Sequence, residues 1–211
     1  MKVNREMVIR AGLELLNEVG LEQLTLRQLG KQLNVQAATI YWHLKSKEEL
    51  LDEMATLLLA EAAPHLVPAR ANAGWATWLE HYGNGLRAAL LGCRDGARMV
   101  SGTRLTNTVY MATTERIARR LVDESFTVRQ TVVLLSTVYS YTVSFVQEEQ
   151  AVFPRPGERS PQYDLTQRSA YLPAAEFPLL RQAGPILFDR FDRRYKEGLD
   201  LIVRGARPAA R

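Results

Sequence analysis

The feature of this sequence that most restricts its fold is the helical spacing of its apolar residues. In the first 20 residues, one set recurs at intervals of three and four positions: Val8, Ala11, Gly12, Leu15, Leu16 and Val19. This spacing places the set on one face of an α-helix. Proline is absent before Pro64, and the alternation of apolar and polar residues that is typical of a β-strand is scarce throughout. An all-α fold is therefore predicted.

Signals for helix ends divide the first part of the chain into three short helices and a longer one. Gly20 can adopt the left-handed conformation that ends the first helix. Thr25 and Ser46 each open a sequence of the capping-box form, in which the hydroxyl and the side chain three residues later satisfy free amides of the first turn. We expect a DNA-binding unit over residues 1–46 and a connector helix over residues 47–63.

Two prolines and an alanine-rich run mark the start of a second helical domain, over residues 64–211. Its first helices are predicted near residues 75–91, 94–100, 106–122 and 127–150. Thr127 again opens a capping-box sequence. Residues 151–178 are rich in Pro, Arg, Ser and Gln, which predicts a long connection with room for one short helix. A final helix is expected to start near Pro178 or to restart at Pro185.

The basic charge of the chain does not by itself locate a nucleic-acid site. Its 211 residues carry a formal net charge of +4 and give a pI of about 9.3, values that often accompany nucleic-acid binding. Residues 1–60, however, hold seven Lys/Arg against eight Asp/Glu. The surplus positive charge lies later in the chain, so a DNA-binding site has to be argued from particular side chains.

Cysteine content and the first residues favour a cytoplasmic protein. Cys93 is the single cysteine, as is usual for a chain in a reducing compartment. The first residues lack the apolar segment of a secretory signal. The longest uncharged stretch, residues 130–147, is interrupted by Ser, Thr and Tyr and is barely of bilayer length. We interpret this stretch as a buried helix and expect no membrane association.

The short helices on either side of Asn34 and Val35 have the pattern of a helix-turn-helix. In that motif the second helix lies in the major groove of DNA and the first crosses the backbone. The outward side chains predicted here are small or hydrogen-bonding, and the Arg27 guanidinium can bind a guanine or a phosphate. Trp42 is open between a base contact and a packing role. The candidate DNA-binding residues are Thr25, Arg27, Gln36, Ala37, Ala38, Thr39, Tyr41, Trp42, His43 and Lys47.

Several longer motifs carry a family resemblance. In the first half they are LELLNEVGLE at 13–22, LT at 24–25, TIYWHLK at 39–45, Lys47 and LLD at 50–52. In the second half they are ALL at 89–91, RDGA at 94–97, GTR at 102–104, LLRQA at 179–183 and LFD at 187–189. These motifs resemble those of the tetracycline-repressor (TetR) family of bacterial regulators, and they extend over nearly the whole chain.

The resemblance implies a ligand-responsive repressor that binds a palindromic DNA operator as a homodimer. The two DNA-reading units of such a dimer lie about one helical turn apart, roughly 34 to 36 Å. In the family, two helices of each subunit form a four-helix bundle, and here these would be residues 127–150 and the final helix. Ala37 and Ala38 depart from the family's tetracycline-responsive members, so we expect a different operator sequence.

The same resemblance implies a pocket for a small effector in each C-terminal domain. The expected lining residues are Tyr82, Leu86, Val100, Thr103, Arg116, Tyr139 and Glu148. We expect a sizeable, mostly apolar organic molecule with an anionic or hydroxyl group for Arg116. The alternative for that residue is a surface salt bridge with Glu115 or Asp123.

The metal chemistry of the family does not transfer directly to this chain. Family members that bind magnesium–tetracycline hold the metal with a histidine, where this chain has Val100. Valine cannot coordinate Mg²⁺, which prefers oxygen ligands. We therefore expect neither a metal nor a cofactor. A tetracycline sensor with a changed ligand set stays open as an alternative.

An enzyme and a helical adaptor are the competing classes of protein. The sequence contains no nucleophile elbow, phosphate-binding loop, His/Cys metal cluster or paired carboxylate motif, so we expect no catalysis. An adaptor would bind another protein through its C-terminal half. Steep salt dependence of duplex binding would distinguish a DNA-binding protein from both.

Overall fold

A computed structural model describes residues 3–208, and this part of the chain is helical without a β-strand, which confirms the all-α prediction. Its helices are α1 Arg5–Val19, α2 Leu26–Gln32, α3 Ala37–His43, α4 Lys47–Ala62, α5 Trp75–Leu91, α6 Gly96–Val100, α7 Val109–Asp123, α8 Val128–Val152, α9 Leu165–Tyr171, α10 Pro178–Asp189 and α11 Phe191–Gly205. We call α1–α3 the head and α5–α11 the body. Helix α4 lies between them in the chain.

The predicted helix-end signals have the expected geometry. Thr25, Ser46 and Thr127 are N-caps whose hydroxyls accept the amide three residues later. Only Thr127 completes a reciprocal capping box within the described chain. Gly20 and Asn34 adopt positive φ values of 81° and 53°, which lets the chain turn sharply after α1 and α2.

The head is built on a small apolar core. Leu16, Leu29, Ile40 and Leu44 are fully buried and come from α1, α2, α3 and the end of α3. Each such side chain stabilises the fold by about 1.5–3 kcal/mol relative to an exposed position. Val35, which the sequence suggested as core, is only half-buried, as is Leu33, because the turn between α2 and α3 lies at the surface. The core therefore holds α3 in place through the buried side chain of Ile40.

The body is organised around α5 and α8, which pack against each other and against α6, α7 and α11. Helix α5 has the predicted bounds. The final helix does not: it divides into α10 and α11 at Arg190, while Pro185 lies inside α10. Helix α11 begins at Phe191, whose buried ring packs against Phe145 and Phe153 at centroid distances of 5.9 and 6.0 Å. Packing, rather than proline, sets where the last helix starts.

An ionic network joins three helices of the body. The Arg87 guanidinium, only 9% exposed, donates to both carboxylate oxygens of Glu149 at 2.8 Å and to Asp192 at 2.7 Å. Its carbon also lies 5.0 Å from the centroid of the Tyr195 ring. Burial raises the pKa of Glu149, and the neighbouring Arg87 offsets part of that rise. The network therefore holds α5, α8 and α11 together through a charge pair that needs both partners.

Helix α4 is bound to the body by the loop between α6 and α7. The Asp52 carboxylate accepts the amide of Arg104 at 2.7 Å, and the Thr56 hydroxyl accepts the amide of Thr106 at 2.9 Å. Met54 of the same helix packs against α1, where a Cβ on Gly12 would lie 2.9 Å from its sulfur. These hydrogen bonds attach the loop to the helix that carries the head.

A second contact between head and body lies at the end of α1. The Asn17 side chain accepts the amide of Arg94 at 2.8 Å, and Asp95 accepts the amide of Leu21 at 2.9 Å. Arg98 forms an ion pair with Glu22 at 2.8 Å. These contacts fix the turn after α1 to the beginning of α6.

No helix in residues 3–208 has the length and apolar character needed to cross a bilayer.

Candidate nucleic-acid interface and effector site

Helix α3 presents a polar and aromatic face to solvent. Trp42 is 88% exposed and Tyr41 54%, while Ile40 between α3 and the head core is fully buried. Gln36 and Ala38 are exposed, and Ala37, Thr39 and His43 are half-buried. The exposure of Trp42 excludes a packing role in the isolated chain. A short helix with a buried anchor and outward small or hydrogen-bonding residues is suited to entering a major groove.

The other candidate DNA-binding residues flank this helix. Thr25 and Arg27 are exposed at the start of α2, and Arg27 forms no ion pair with any described residue. The Thr25 hydroxyl caps α2. Lys47 is half-buried because its ammonium donates to the carbonyl of Leu21 at 2.8 Å, which leaves two of its three donors for another acceptor.

Sequence reasoning missed the residue that holds the end of α3 in place. The Arg5 guanidinium donates to the carbonyl of His43, and it forms ion pairs with Glu49 at 2.7 Å and Glu53 at 2.8 Å. The hydrogen bonds to Glu53 and Glu49 raise the pKa of Arg5. The pKa of Glu49 is lowered by the hydrogen bond from the amide of Lys45 and by its bond with Arg5. Arg5 therefore satisfies a free carbonyl at the end of a helix and links α1, α3 and α4.

The expected effector-site residues divide into a set that is buried in the body and a set nearer the surface of the single chain. Tyr82, Leu86 and Val100 are buried in the body, and Tyr139 is half-buried. The Tyr82 hydroxyl shares a 2.8 Å hydrogen bond with Tyr110. Burial raises the pKa of Tyr82 well above its ordinary value and that of Tyr110 to about 12, so both phenols stay protonated at neutral pH. The interior thus offers an apolar surround with a pair of hydroxyls.

Tyr110 was not predicted, although a signal for it exists. It shares one face of α7 with Thr113, Ile117 and Leu121, all of them buried. These residues follow each other at intervals of three and four, which is the spacing of a face that packs inward. A tyrosine on such a face needs a partner for its hydroxyl, and Tyr82 supplies it.

Three of the expected lining residues are not buried in the single chain. Arg116 lies on the exposed face of α7 and pairs with no described acid, because Glu115 binds Arg119 instead. Glu148 is exposed and forms an ion pair with Arg194 at 2.5 Å. Both side chains therefore lie at the surface of the single chain, and their assignment to the effector site stays a prediction. The Thr103 hydroxyl donates to the carbonyl of Val100 at 2.9 Å, which is a local cap.

The interior residues do not fit magnesium. Mg²⁺ prefers carboxylate and other hard oxygen ligands in octahedral order. Val100 and Leu86 have no ligand atom, and the hydroxyls of Tyr82 and Tyr110 are bonded to each other with raised pKa values. The carboxylate of Glu148 is already paired with the Arg194 guanidinium. An effector that depends on a metal held by these side chains has no ligand set here.

Comparison with known families matches both parts of the chain. Residues 8–54 match the family described as "Bacterial regulatory proteins, tetR family". Residues 67–209 match that described as "Tetracyclin repressor-like, C-terminal domain". The chain belongs to the TetR family. It is therefore a transcriptional repressor of that family, with a helix-turn-helix DNA-binding domain and a ligand-binding C-terminal domain.

Individual TetR-family proteins resemble the chain over almost its full length. The tetracycline repressor of class A from transposon 1721 of Escherichia coli is 39% identical over 97% of this chain and 90% of its own. A possible TetR-family regulator from Streptomyces coelicolor A3(2) superposes with a TM-score of 0.85 at 30% identity, covering 96% of this chain and 98% of its own. A variant of TetR from Acinetobacter baumannii AYE, solved in complex with minocycline, gives 0.72 at 33% identity, covering 97% and 96%.

Proposed function

We propose that this TetR-family repressor acts in the cytoplasm as a homodimer on a palindromic operator and is released by a small organic molecule. The observation that carries the proposal is the exposed face of α3, backed by buried Ile40 and held at its end by Arg5. Within that face, Tyr41 and Trp42 are exposed where a DNA backbone or base would lie. Thr25, Arg27, Gln36, Ala37, Ala38, Thr39, His43 and Lys47 complete the proposed DNA contacts.

The test is direct measurement of operator binding. An operator is first selected from a random duplex pool and then titrated by fluorescence anisotropy. Arg27→Ala and Tyr41→Ala should abolish binding while the dimer persists in sedimentation. Arg116→Ala is the matched control, because this arginine is also exposed and unpaired in the described chain but lies on α7. Binding that survives both head substitutions, or that is insensitive to salt, would refute the proposal.

Dimerisation is supported by apolar side chains that the single chain leaves uncovered. Val128, Val132 and Val133 of α8 are 57–71% exposed, and Leu201 of α11 is 72% exposed. Contiguous apolar surface of this kind usually marks an interface. We propose that α8 and the last helix meet the same helices of a second copy. Val132→Glu with Leu201→Glu should convert the dimer into a monomer in sedimentation; a dimer of unchanged mass would contradict this surface.

The release mechanism is proposed to run through α4. A ligand in the body would shift the loop at residues 101–108, which holds α4 through Asp52 and Thr56. Tilting α4 changes the separation of two heads that must dock together on half-sites about 34 to 36 Å apart. Such a ligand has to prefer the tilted state, since equal affinity for both states shifts nothing.

We propose that the effector is a mostly apolar molecule with a hydroxyl or carbonyl group. Because Arg116 is exposed, the Tyr82–Tyr110 pair takes over as the polar part of the site, beside Leu86, Val100 and Tyr139. The alternative is a tetracycline-class sensor with a changed ligand set, which the relatedness to tetracycline repressors and to the minocycline-bound TetR favours. Tetracycline titrations with and without Mg²⁺ separate the two: release of operator that requires the metal would refute the first.

A further inference from the structure

A cavity lies between head and body, away from the interior site. Its volume is about 740 Å³, within the range of small-molecule sites. The head contributes Asn17, at the end of α1. The body contributes the end of α5 at Leu91 and Gly92, the end of α8, and the loop at residues 153–157. A smaller cavity of about 220 Å³ continues it along the turn after α1 and shares Arg94 with it.

Two positive charges converge at the wall of this cavity. The guanidinium of Arg94 donates to the carbonyl of Glu18 at 2.7 Å, and that of Arg155 donates to the same oxygen at 3.4 Å. Neither arginine forms an ion pair with a described residue. Two like charges on one carbonyl oxygen repel each other, and the partial negative charge at the end of α1 offsets only part of this.

The acids around the cavity are already committed. Glu149, which also lines it, is bonded through both oxygens to Arg87. Asp95 accepts the amide of Leu21 and contacts Arg98. The rest of the wall consists of the apolar Leu91, Phe153 and two prolines, two glycines, and the amide side chains of Asn17 and Gln150, which are bonded to backbone groups. The cavity therefore combines an apolar surround with uncompensated positive charge.

We propose that this cavity is a second effector site, which binds an apolar molecule carrying one carboxylate. A carboxylate matches the planar fork of a guanidinium and would neutralise Arg94 and Arg155 together. The apolar body of the ligand would pack against Phe153 and Leu91. Such a ligand touches Asn17 of the head and the 153–157 loop of the body at once, so it would fix their relative position. None of the proposed lining residues of the interior site belongs to the head.

The test uses the whole protein without DNA, so its result does not depend on operator binding. The probe is 2-naphthoate, titrated by calorimetry against its neutral analogue 2-naphthamide and against inorganic phosphate. We expect saturable binding of naphthoate at one site per chain, at least tenfold weaker binding of the other two, and weaker binding at high salt. Equal affinity for the amide, or for phosphate alone, would overturn the proposal.

Two variants locate the binding site. Arg155→Gln removes one charge and should weaken naphthoate about tenfold, as expected for a charged hydrogen bond. Gly92→Leu should block the cavity, since φ is −66° there and a Cβ meets only the Ala88 and Ala89 carbonyls at 3.5 and 3.4 Å. Arg70→Gln is the control, an exposed arginine outside the cavity. Unchanged binding in both variants, or an equal loss with Tyr82→Phe in the interior site, would overturn the proposal.

Discussion

Replacing Arg87 by methionine should destabilise the body in a manner that depends on pH. The substitution keeps an unbranched, flexible side chain, although a shorter one, and leaves the Glu149 carboxylate, whose side chain is 14% exposed, without its bidentate partner. Removing one member of a buried ion pair costs about 3–5 kcal/mol of unfolding free energy. Asp192 is 81% exposed and returns to water at little cost, so we expect about 3 kcal/mol at pH 8.

The sign of the pH effect follows from Glu149. Burial holds the pKa of this carboxyl above its ordinary value, and Arg87 lowers it, so the variant raises that pKa further. A carboxyl with a raised pKa in the folded state binds its proton more tightly when folded. This tighter proton binding stabilises the folded state at pH values below the pKa of the carboxyl in the unfolded chain. The stabilisation is lost as pH rises through the pKa of the carboxyl in the folded state. The cost of Arg87→Met should therefore be smaller at pH 5 than at pH 8.

The assay is urea unfolding followed by helical circular dichroism at both pH values and one fixed protein concentration. Arg119→Met is the matched control, because its i,i+4 pair with Glu115 is exposed and is worth only about 0.3–0.5 kcal/mol. Arg87→Met with Glu149→Leu should recover most of the loss, since an apolar pair can replace a buried ionic one. A loss that is equal at both pH values, or no greater than in the control, would refute this reasoning.

Three other substitutions test the fold and the head. Thr127→Ala should lower the free energy of unfolding by about 1 kcal/mol through loss of the α8 cap, and Thr127→Ser should restore it in thermal melts. Gly85→Ala places a Cβ 2.6 Å from the His65 carbonyl oxygen and should cost about 1–3 kcal/mol in urea, whereas Gly205→Ala, in open space, should not. Arg5→Ala should weaken operator binding in anisotropy without changing the dimer, because the end of α3 loses its support; unchanged affinity would contradict that role.

The sequence was sufficient to predict those features that depend only on residues close to each other in the chain. Gly20 shows the positive φ value that its position predicted, and Thr127 closes the predicted capping box. The division of the last helix at Arg190 was not predictable, because Phe191 finds its partners on α8 and just beyond it, some 40 residues earlier. The bounds of α5 agree with the range predicted from the sequence.

The effector site shows the same limit at the scale of one residue. Family resemblance selected Glu148, yet the neighbouring Glu149 is the carboxylate that points inward to Arg87. Successive residues on a helix point about 100° apart, so a match in sequence does not fix which of two adjacent acids faces the core. The orientation of Arg116 depends likewise on how α7 rests on α5 and α8, which the sequence does not show.

Helix α4 packs against both the head and the body, and this limits how the protein can be recombined with its relatives. Leu50 and Met54 belong to the core under the head, while Leu59 and Ala62, further along the same helix, are buried towards the body. A chimaera cut at the start of α4 would separate the head from apolar surface that it needs in order to fold. Exchange of DNA specificity between such proteins should succeed when whole segments through Ala62 are moved, or when only the exposed residues of α3 are replaced.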